Sequence, residues 1–307
     1  MEPLQHLIRA SQLPPDRLAE LFTAADRLQA DDRARRIFPV LQGRILATLF
    51  YEPSTRTRLS FEAAMQKLGG SVLSVENARD SSSAVKGESI ADTIRVVSGY
   101  ADAIAIRHFQ EGTAAAAAAS SPVPVINAGD GIGEHPTQAL ADTYTIHREL
   151  GRLDNLRVTL VGDLLYGRTI HSLLPLLAMY PGLDVKLVSP TALRLPARYL
   201  DALKQGGAAV EEVDTLEGAV ADADVVYVTR VQGERFRSAA EYEAVKDAFI
   251  LNTRVVEQLQ TGAVIMHALP RLNEIAPEID QDPRAAYFRQ ARNGLYVRMA
   301  LLASMLG

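Results

Sequence analysis

The chain has 307 residues, and at about 150 residues per domain this length favours two domains. Hydrophobic residues make up 48% and charged residues 22%, a composition that excludes a disordered or fibrous chain. Lys and Arg number 32 against 37 Asp and Glu, and the resulting formal charge of −5 argues against binding to nucleic acid or to an anionic membrane. Any anionic ligand must therefore be held by a local cluster of cations.

Cysteine is absent from the sequence. This excludes disulfide bonds, a thiolate nucleophile and cysteine-ligated zinc or iron–sulfur sites in this chain. No apolar run approaches the roughly 18 residues of a membrane span, and the N-terminus lacks the basic-then-apolar pattern of a signal peptide. These features predict a cytoplasmic protein.

Short apolar runs alternate with amphipathic helical patterns along the chain. A helical pattern over Asp16–Gln29 precedes a predicted strand within Arg44–Pro53 and a helix over LSFEAAMQKLG. Further strands are predicted at SVLSVE, AIAI, VPVINAG, RVTLVGD, DVKLVSP, ADVVYVTR and AVIMHALP, with helices at GESIADTIRVVSGY, PTQALADTYTIHREL and TIHSLLPLLAMY. This alternation indicates an α/β fold with two doubly wound domains and parallel sheets. In such sheets, ligands bind at the carboxyl ends of the strands.

The domain boundary is predicted near GRLDN, residues 151–155, where a new strand follows a helix. The first domain would span 1–150 and the second 151–284. The low-complexity tract TAAAAAAS is predicted to form a surface helix, because alanine has the highest helix propensity. A long amphipathic helix at about 285–307 ends the chain, and we expect it to pack on the first domain.

PSTRTR, residues 53–58, lies between a strand end and a helix start. A helix N-terminus offers free N–H groups, hydroxyls add donors, and arginine binds phosphate oxygens with two parallel hydrogen bonds. The segment therefore predicts a phosphate site without a glycine-rich loop. The alternative is that Ser54 or Thr55 only caps the helix while the arginines are solvated.

DSSSAVKGESIADT places three serines before Lys86 and Gly87 in a polar segment that we expect to be a flexible loop. A lysine on such a loop can reach an anion and then withdraw. A solvated connector is the alternative, because serine-rich segments are common in loops.

GDGIGEHPTQ places His135 and Gln138 at the start of a helix, directly after a strand. A helix N-terminus disfavours a cationic imidazole, so a neutral histidine could donate a hydrogen bond to a carbonyl there. The alternative is a histidine that only caps the helix. The glycines lack the third position of a dinucleotide-binding fingerprint.

VGDLLYGRT imitates the GxxxxGK[ST] phosphate loop, but Arg168 stands where that loop has lysine. The two cations are not interchangeable there, so a nucleoside triphosphatase is disfavoured. Arg168 suits a carboxylate instead, as does Arg230, which lies with Gln232 after another strand. The two arginines would fit a dicarboxylate, although structural ion pairs are the alternative.

MHALPR ends a further strand and places Leu269 before Pro270. Backbone carbonyls at such a turn can accept hydrogen bonds from an ammonium or amide group, especially where the bond before proline is cis. A plain turn is the alternative.

These motifs together carry a resemblance that covers nearly the whole chain. FYEPSTRTRLSFE resembles the aspartate/ornithine carbamoyltransferase family. The remaining motifs are similar to catalytic chains of the aspartate branch in order and spacing: RHFQEG, NAGDG, HPTQALADTYTI, VGDLLYGRTIHSLL, TRVQGER and HALPR followed by NEI. The ornithine branch is expected to show a cysteine-containing HCLP segment, which this chain lacks.

The resemblance implies carbamoyl transfer from carbamoyl phosphate to L-aspartate, a step of pyrimidine biosynthesis, in a cleft between the two domains. The phosphate is implied to be held by Ser54, Thr55, Arg56 and Thr57. The carbamoyl carbonyl would accept hydrogen bonds from His135, Thr57 and Arg107, and Arg107 is also a candidate phosphate contact. Gln138 is implied to bind the carbamoyl amide.

The second domain is implied to hold aspartate through Arg168, Arg230 and Gln232. The backbone of Ala268 and Leu269 is implied to contact the carbamoyl group, and Leu269 also aspartate. HALPR departs from the family's usual HPLPR, so Ala268 replaces a proline and should leave the turn less rigid before substrate binds.

The resemblance further implies a homotrimer in which Ser82 and Lys86 reach the active site of an adjacent subunit. Lys86 would contact both substrates and neutralise charge as phosphate leaves. The catalytic set is thus implied to be Arg56, Thr57, Lys86, Arg107 and His135, with neither metal nor cofactor. Regulatory chains or a dihydroorotase are possible further partners. The alternatives are transfer to ornithine or another amine, or a non-catalytic scaffolding chain of the same fold.

Overall fold

The structure is a computed structural model that describes residues 4–36, 39–236 and 238–307, with the side chains of Ser83 and Glu234 left aside. These residues form two compact units. Unit 1 draws on Met1–Ala141 and Arg292–Gly307, and unit 2 consists of Asp142–Ala291. The sequence predicts a boundary near residue 151, whereas the units divide inside the helix Pro136–Leu150.

The early division has a local cause in unit 2. Asp142 is fully buried there and accepts hydrogen bonds from Tyr227 Oη at 2.8 Å and Gln290 Nε2 at 2.7 Å. At the chain's other end, only the residues from Arg292 onward belong to unit 1, where Tyr296 Oη donates to Asp32 at 2.9 Å. The boundaries therefore follow buried polar contacts rather than helix ends.

Unit 1 contains a four-stranded parallel sheet in the order β2-β1-β3-β4. Its strands are β1 (Ile45–Phe50), β2 (Ser71–Glu76), β3 (Ala103–His108) and β4 (Val125–Asp130). Its helices are α1 (Pro15–Arg33), α2 (Thr55–Lys67), α3 (Ala78–Ser81), α4 (Ile90–Val97) and α5 (Thr113–Ala119), with the first residues of α6 (Pro136–Leu150). Short 3-10 turns occupy Ala10–Gln12, Pro39–Leu41 and Ser83–Lys86.

Unit 2 contains a five-stranded parallel sheet in the order β7-β6-β5-β8-β9. Its strands are β5 (Arg157–Val161), β6 (Asp184–Val188), β7 (Ala209–Val213), β8 (Val225–Val228) and β9 (Val264–Met266). Its helices are α7 (Arg168–Leu177), α8 (Ala197–Gln205), α9 (Ala239–Glu243), α10 (Thr253–Val256) and the start of α11 (Tyr287–Leu306). Further 3-10 turns lie at Thr191–Leu193, Gly233–Arg235 and Pro277–Gln281.

The predicted doubly wound α/β class and its parallel sheets are confirmed. Each predicted strand is present, and the alanine tract forms α5, with Ala114 and Ala117 buried. The sequence prediction did not include β7 and α8. β7 is an edge strand whose mostly exposed residues give no apolar run. Within the described ranges, no helix combines the length and apolar character needed to cross a membrane.

The two sheets share a device that no sequence repeat reveals. In unit 1, Asp102 precedes β3 and accepts from the backbone N–H of Ile45 at 2.8 Å and from Arg44 Nη1 at 2.9 Å. In unit 2, Asp224 precedes β8 and accepts from the N–H of Arg157 at 2.9 Å and from its side chain. Each aspartate thus fixes the start of the neighbouring central strand. These contacts lie at the amino-terminal ends of the strands, away from the carboxyl ends where ligands bind.

Candidate active site

The strand order of unit 1 marks one position for a ligand. β1 lies between β2 and β3, so the connections diverge at the carboxyl ends of β1 and β3, where ligands of open α/β sheets bind. The segment 54–57 follows β1 after three residues, and Arg107 lies in β3. The predicted phosphate-binding residues therefore occupy this switch point.

Helix α2 presents its N-terminus at this switch point. Ser54 is its N-cap residue, yet within the described chain its hydroxyl accepts no capping hydrogen bond. The side chain of Ser54 therefore does not cap α2, contrary to the alternative considered from the sequence. Thr55 and Arg56 are exposed in the first turn. Free N–H groups, hydroxyls and one guanidinium together provide the donors that a phosphate requires.

Arg58, the other arginine of PSTRTR, is held by two acidic residues. Its Nη2 atom lies 2.6 Å from Glu76 Oε2, and its Nη1 atom lies 3.4 Å from Glu62 Oε1. Because α2 turns by about 100° per residue, Arg58 and Arg56 leave the helix in different directions. Arg58 thus ties α2 to β2, and Arg56 is the arginine of this segment that remains a candidate ligand.

Thr57 and His135 are brought together in unit 1. Thr57 Oγ1 lies 3.4 Å from His135 Nε2, and both residues are almost fully buried. His135 stands immediately before α6, and its carbonyl accepts from the N–H groups of Gln138 at 3.0 Å and Ala139 at 3.2 Å. Its backbone therefore caps the helix while its ring faces Thr57. Gln138 is half-buried in the first turn.

Arg107 is 8% exposed, and an acidic partner orients its guanidinium. Its Nη2 atom lies 2.9 Å from Glu52 Oε2, and its Nη1 atom donates to the carbonyl of Ala128 at 3.4 Å. Glu52 closely follows β1, so this ion pair links the ends of the two switch-point strands. A guanidinium that is already oriented loses little conformational freedom when it binds an anion.

The serine-rich segment is more ordered than the predicted flexible loop, because α3 and a 3-10 turn occupy it. Ser82 ends α3: its hydroxyl donates to the carbonyl of Ala78 and accepts from the N–H of Ala84 at 3.2 Å. Lys86 is exposed at the end of the 3-10 turn, and no described residue forms an ion pair with it. Gly87 follows with φ +85°.

Unit 2 has its own switch point, because β5 lies between β6 and β8. Arg168 begins α7 after β5, and Arg230 and Gln232 follow β8; all three are half-buried. Gln232 Nε2 donates to the carbonyl of Tyr166 at 2.9 Å, which joins the two segments. The structure thus places the three predicted aspartate-binding residues in two segments at the carboxyl ends of β5 and β8.

Asp163, which the sequence reasoning did not select, organises these two loops. It is fully buried and accepts from the N–H groups of Tyr166 at 2.9 Å and Gln232 at 3.3 Å. Burial raises the pKa of its carboxyl, while these N–H bonds and the charge of Arg230 oppose that rise. Because the loop's N–H groups bind this carboxylate, they form no phosphate cradle of the GxxxxGK[ST] kind. The sequence signal that could have identified Asp163 is an acidic residue two positions after the end of a buried strand.

The turn after β9 carries the backbone groups predicted at MHALPR. Ala268 and Leu269 are half-buried, the Leu269–Pro270 bond is cis, and Leu269 has φ +55°. The side chain of His267 is buried and accepts the N–H of Leu269 at Nδ1, at 2.8 Å. In the part of the chain that the structure describes, no three His, Asp or Glu side chains are grouped as metal ligands would be.

Comparison with known proteins identifies the family. The model of the aspartate/ornithine carbamoyltransferase carbamoyl-phosphate-binding domain matches residues 5–148, and that of the Asp/Orn-binding domain matches residues 154–305. The chain belongs to the aspartate/ornithine carbamoyltransferase family. The resemblance predicted from the sequence is therefore confirmed. Residues 54–57 lie in the first matched region, and Arg168 and Arg230 lie in the second.

Individual relatives place the chain in the aspartate branch of this carbamoyltransferase family. A chloroplastic aspartate carbamoyltransferase of Oryza sativa is 50% identical over 99% of this chain and 85% of its own length. The catalytic subunit of M. jannaschii aspartate transcarbamoylase is 46% identical, with a TM-score of 0.91 over 99% of this chain and 98% of its own. The Trypanosoma cruzi enzyme in complex with carbamoyl phosphate and aspartate is 39% identical, with a TM-score of 0.93 over 99% and 97%.

Proposed function

We propose that the chain transfers the carbamoyl group of carbamoyl phosphate to the α-amine of L-aspartate, giving N-carbamoyl-L-aspartate and phosphate. The amine nitrogen forms a bond to the carbonyl carbon, the bond from that carbon to the phosphate oxygen breaks, and the amine gives up one proton, which the departing phosphate accepts. The reaction needs no enzyme nucleophile, because phosphate is a good leaving group. The close approach of Thr57 Oγ1 and His135 Nε2 beside the N-terminus of α2 is the observation that carries this proposal.

Unit 1 is the proposed carbamoyl-phosphate-binding domain. The phosphate lies against the N-terminus of α2 and is bound by Ser54, Thr55, Arg56 and Thr57. The positive end of the helix dipole and the charge of Arg56 favour a dianion there. Two observations support this assignment: the Ser54 hydroxyl makes no capping hydrogen bond to α2, and Thr55 and Arg56 are exposed.

The developing oxyanion is the second group that unit 1 stabilises in this proposal. Thr57, Arg107 and His135 donate to the carbamoyl oxygen, and Gln138 binds the carbamoyl amide. Donors that are buried and already oriented stabilise a transition state without reorganising at the moment of reaction. The burial of Thr57, Arg107 and His135 and the orientation of Arg107 by Glu52 support these roles.

Unit 2 is the proposed aspartate-binding domain. Arg168 and Arg230 bind the two carboxylates as planar forks, and Gln232 contributes from the same loop as Arg230. The backbone carbonyls of Ala268 and Leu269 accept from the carbamoyl NH₂ group, and Leu269 also contacts aspartate. The half-buried position of each residue at a strand's carboxyl end supports this assignment.

The subunit arrangement is proposed as a homotrimer with shared active sites. Ser82 and Lys86 reach the site of an adjacent subunit, where Lys86 contacts both substrates and neutralises the leaving phosphate. The exposure of Lys86 supports this role. Mixing Lys86→Ala and His135→Ala subunits tests it: a shared site regains activity in the mixture, because some sites receive neither substitution, whereas unshared sites stay inactive.

The amine specificity is tested with the purified chain and carbamoyl phosphate. We expect carbamoyl-aspartate to form and ornithine to remain unreacted; transfer to ornithine or another amine would replace the proposal. A scaffolding chain would be indicated if a phosphonate-acetyl-aspartate bisubstrate mimic failed to bind in calorimetry. A cytoplasmic location is proposed, and size measurement in lysate tests for regulatory chains or a dihydroorotase.

A further inference from the structure

Three side chains in or directly after strands accept a hydrogen bond from the N–H group two positions later. His267, directly after β9, accepts the N–H of the residue two positions later, Leu269, at its Nδ1 atom. Asparagine and aspartate commonly make this contact in Asx turns. The same contact recurs in unit 1 from Gln110 N–H to His108 Nδ1 at 3.0 Å and from Gly129 N–H to Asn127 Oδ1 at 2.8 Å. The Nδ1 atom of His267 therefore accepts the same hydrogen bond that the side-chain oxygen of asparagine accepts in an Asx turn.

The hydrogen bonds around His267 define its protonation. Because Nδ1 accepts from a backbone N–H, the ring proton is assigned to Nε2, which donates to Glu274 Oε1 at 2.8 Å. Glu274 Oε2 accepts from the N–H of Leu272 at 3.0 Å. Burial, the largest single influence on Glu274, opposes ionisation, but the interactions with His267 and with backbone N–H groups together outweigh it and hold the pKa of this carboxyl below its usual value. One neutral imidazole thus joins two points of the turn.

A third contact fixes the backbone of His267 itself. Its N–H donates to Gln290 Oε1 at 2.9 Å, and Gln290 Nε2 donates to the buried carboxylate of Asp142 at 2.7 Å. The turn of Ala268 and Leu269 is therefore bounded by hydrogen bonds on both sides. Leu269 has φ +55°, a conformation that is unfavourable for a residue with a side chain and that persists only where the surroundings impose it.

We propose that His267 is a positioning residue, which holds the carbonyls of Ala268 and Leu269 so that they accept from the NH₂ group of the carbamoyl donor. Its side chain is 3% exposed, so it acts through the turn rather than on the substrate. This inference rests on the proposed function, which assigns the two carbonyls to that group. It adds that the turn distinguishes a carbamoyl from an acetyl group, because a methyl group leaves both acceptors unpaired.

The test compares the affinities of carbamoyl phosphate and acetyl phosphate, which differ in the NH₂ and CH₃ groups. Three variants are measured by titration calorimetry beside the wild type: His267→Asn, His267→Gln and His267→Ala. Asparagine retains an acceptor that reaches the N–H two positions later, whereas the longer glutamine and the alanine do not. Asparagine and glutamine carry the same amide, so this pair differs only in reach.

The wild type is expected to prefer carbamoyl phosphate, and His267→Asn to keep that preference. The preference should fall about tenfold or more in His267→Gln and His267→Ala, the range for a lost hydrogen bond to a site of this kind. Thermal unfolding is followed in parallel. Lower stability alone weakens the binding of both phosphates equally and leaves their ratio unchanged, so the ratio reports on the turn.

Three outcomes would overturn the inference. The wild type could show no preference for carbamoyl phosphate over acetyl phosphate, the His267→Asn and His267→Gln variants could show equal preference, or the His267→Asn variant could lose the preference. If the alanine variant does not fold, the asparagine–glutamine comparison still decides. The proposed function fails separately, when the wild type does not form carbamoyl-aspartate from carbamoyl phosphate and aspartate. Binding ratios and product formation therefore test the two statements independently.

Discussion

Thr57 Oγ1 lies 3.4 Å from His135 Nε2, although 78 positions separate the two residues in the chain. Thr57 belongs to the first turn of α2 and His135 precedes α6, so two helix N-termini deliver a hydroxyl and an imidazole to one buried point. Two neighbouring donors of this kind can serve a single oxygen atom. This relationship supports oxyanion stabilisation more directly than any motif.

Removing either donor should slow the reaction without abolishing substrate binding. We expect Thr57→Val and His135→Ala each to lower kcat by about 10²–10³-fold, the usual effect of losing one oxyanion donor. The double variant should lose less than the product of the two effects, because the residues act on the same oxygen. Steady-state kinetics at saturating concentrations of both substrates provides the measurement.

Ser60→Ala is the matched control on α2. The Ser60 hydroxyl donates to the carbonyl of Thr57 at 2.9 Å, inside the helix. Its removal should leave kcat within about twofold of the wild type, since an ordinary helix hydroxyl contributes little. Full activity of His135→Ala, or strictly multiplicative effects in the double variant, would contradict the shared role.

Replacing either arginine that is proposed to bind the carboxylates of aspartate by lysine should change aspartate binding alone. Arg168→Lys and Arg230→Lys keep the charge but lose the planar fork, so the KM for aspartate should rise about 10- to 100-fold. The Kd of carbamoyl phosphate should stay constant. Arg198→Lys is the control, since Arg198 is an exposed residue whose guanidinium lies over the ring of Tyr199. An unchanged aspartate KM in both ligand variants would remove these arginines from the site.

The two strand-start aspartates should contribute unequally to stability. The Asp224 side chain is 9% exposed and also pairs with Arg152 at 3.1 Å, whereas the Asp102 side chain is 30% exposed. We expect Asp224→Asn to lower the free energy of unfolding by about 1–3 kcal/mol and Asp102→Asn by about 1 kcal/mol or less. Urea unfolding of both variants under one buffer measures the difference. Equal effects would mean that burial does not determine how strongly these aspartate hydrogen bonds at the strand starts stabilise the protein.

The contribution of Asp224 should also depend on pH. Burial alone would raise the pKa of its carboxyl, but hydrogen bonds from Arg157 and Arg152 outweigh burial and hold the pKa below its usual value. A lowered folded-state pKa stabilises the protein above the unfolded value of about 3.9, and this stabilisation is lost as the pH falls through the folded-state pKa. The difference between the wild type and Asp224→Asn should therefore shrink below about pH 4. A constant difference down to pH 3 would contradict it.

Gly162 allows β5 to pass closely by the end of β8. Its φ is +108°, and a Cβ atom there would stand 2.3 Å from the carbonyl oxygen of Thr229. Gly162→Ala should therefore lower the free energy of unfolding by about 3 kcal/mol or more, through both backbone strain and overlap. The KM for aspartate should rise as well, since Asp163 follows directly. Chemical denaturation and steady-state kinetics measure the two effects.

Gly218→Ala separates backbone strain from overlap. Gly218 has φ +84°, and no described atom lies within 4 Å of its would-be Cβ. This variant should lose only about 1–2 kcal/mol and keep its aspartate KM. Equal losses at the two glycines would show that the close approach to Thr229 carries no weight.

The sequence alone was sufficient for the fold class and for most of the strands, since short buried runs and amphipathic helices are local patterns. It also located the strand ends that carry Arg56, Arg107, Arg168 and Arg230, because each follows or ends an apolar run. The amphipathic patterns could not place the unit boundary inside α6. That boundary depends on the contacts of Asp142 with Tyr227 and Gln290, which are remote in sequence.

What only the tertiary structure decided is which polar groups already have partners. Arg56 and Arg58 are alike in the sequence, but β2 brings Glu76 to Arg58 and leaves Arg56 exposed. Asp163 and His267 lie within sequence motifs but were not selected as functional residues, yet the side chain of each accepts a backbone N–H of the turn that follows a strand. Sequence determines which side chains a strand end presents. Strand order and long-range pairing determine which of them can still bind a ligand.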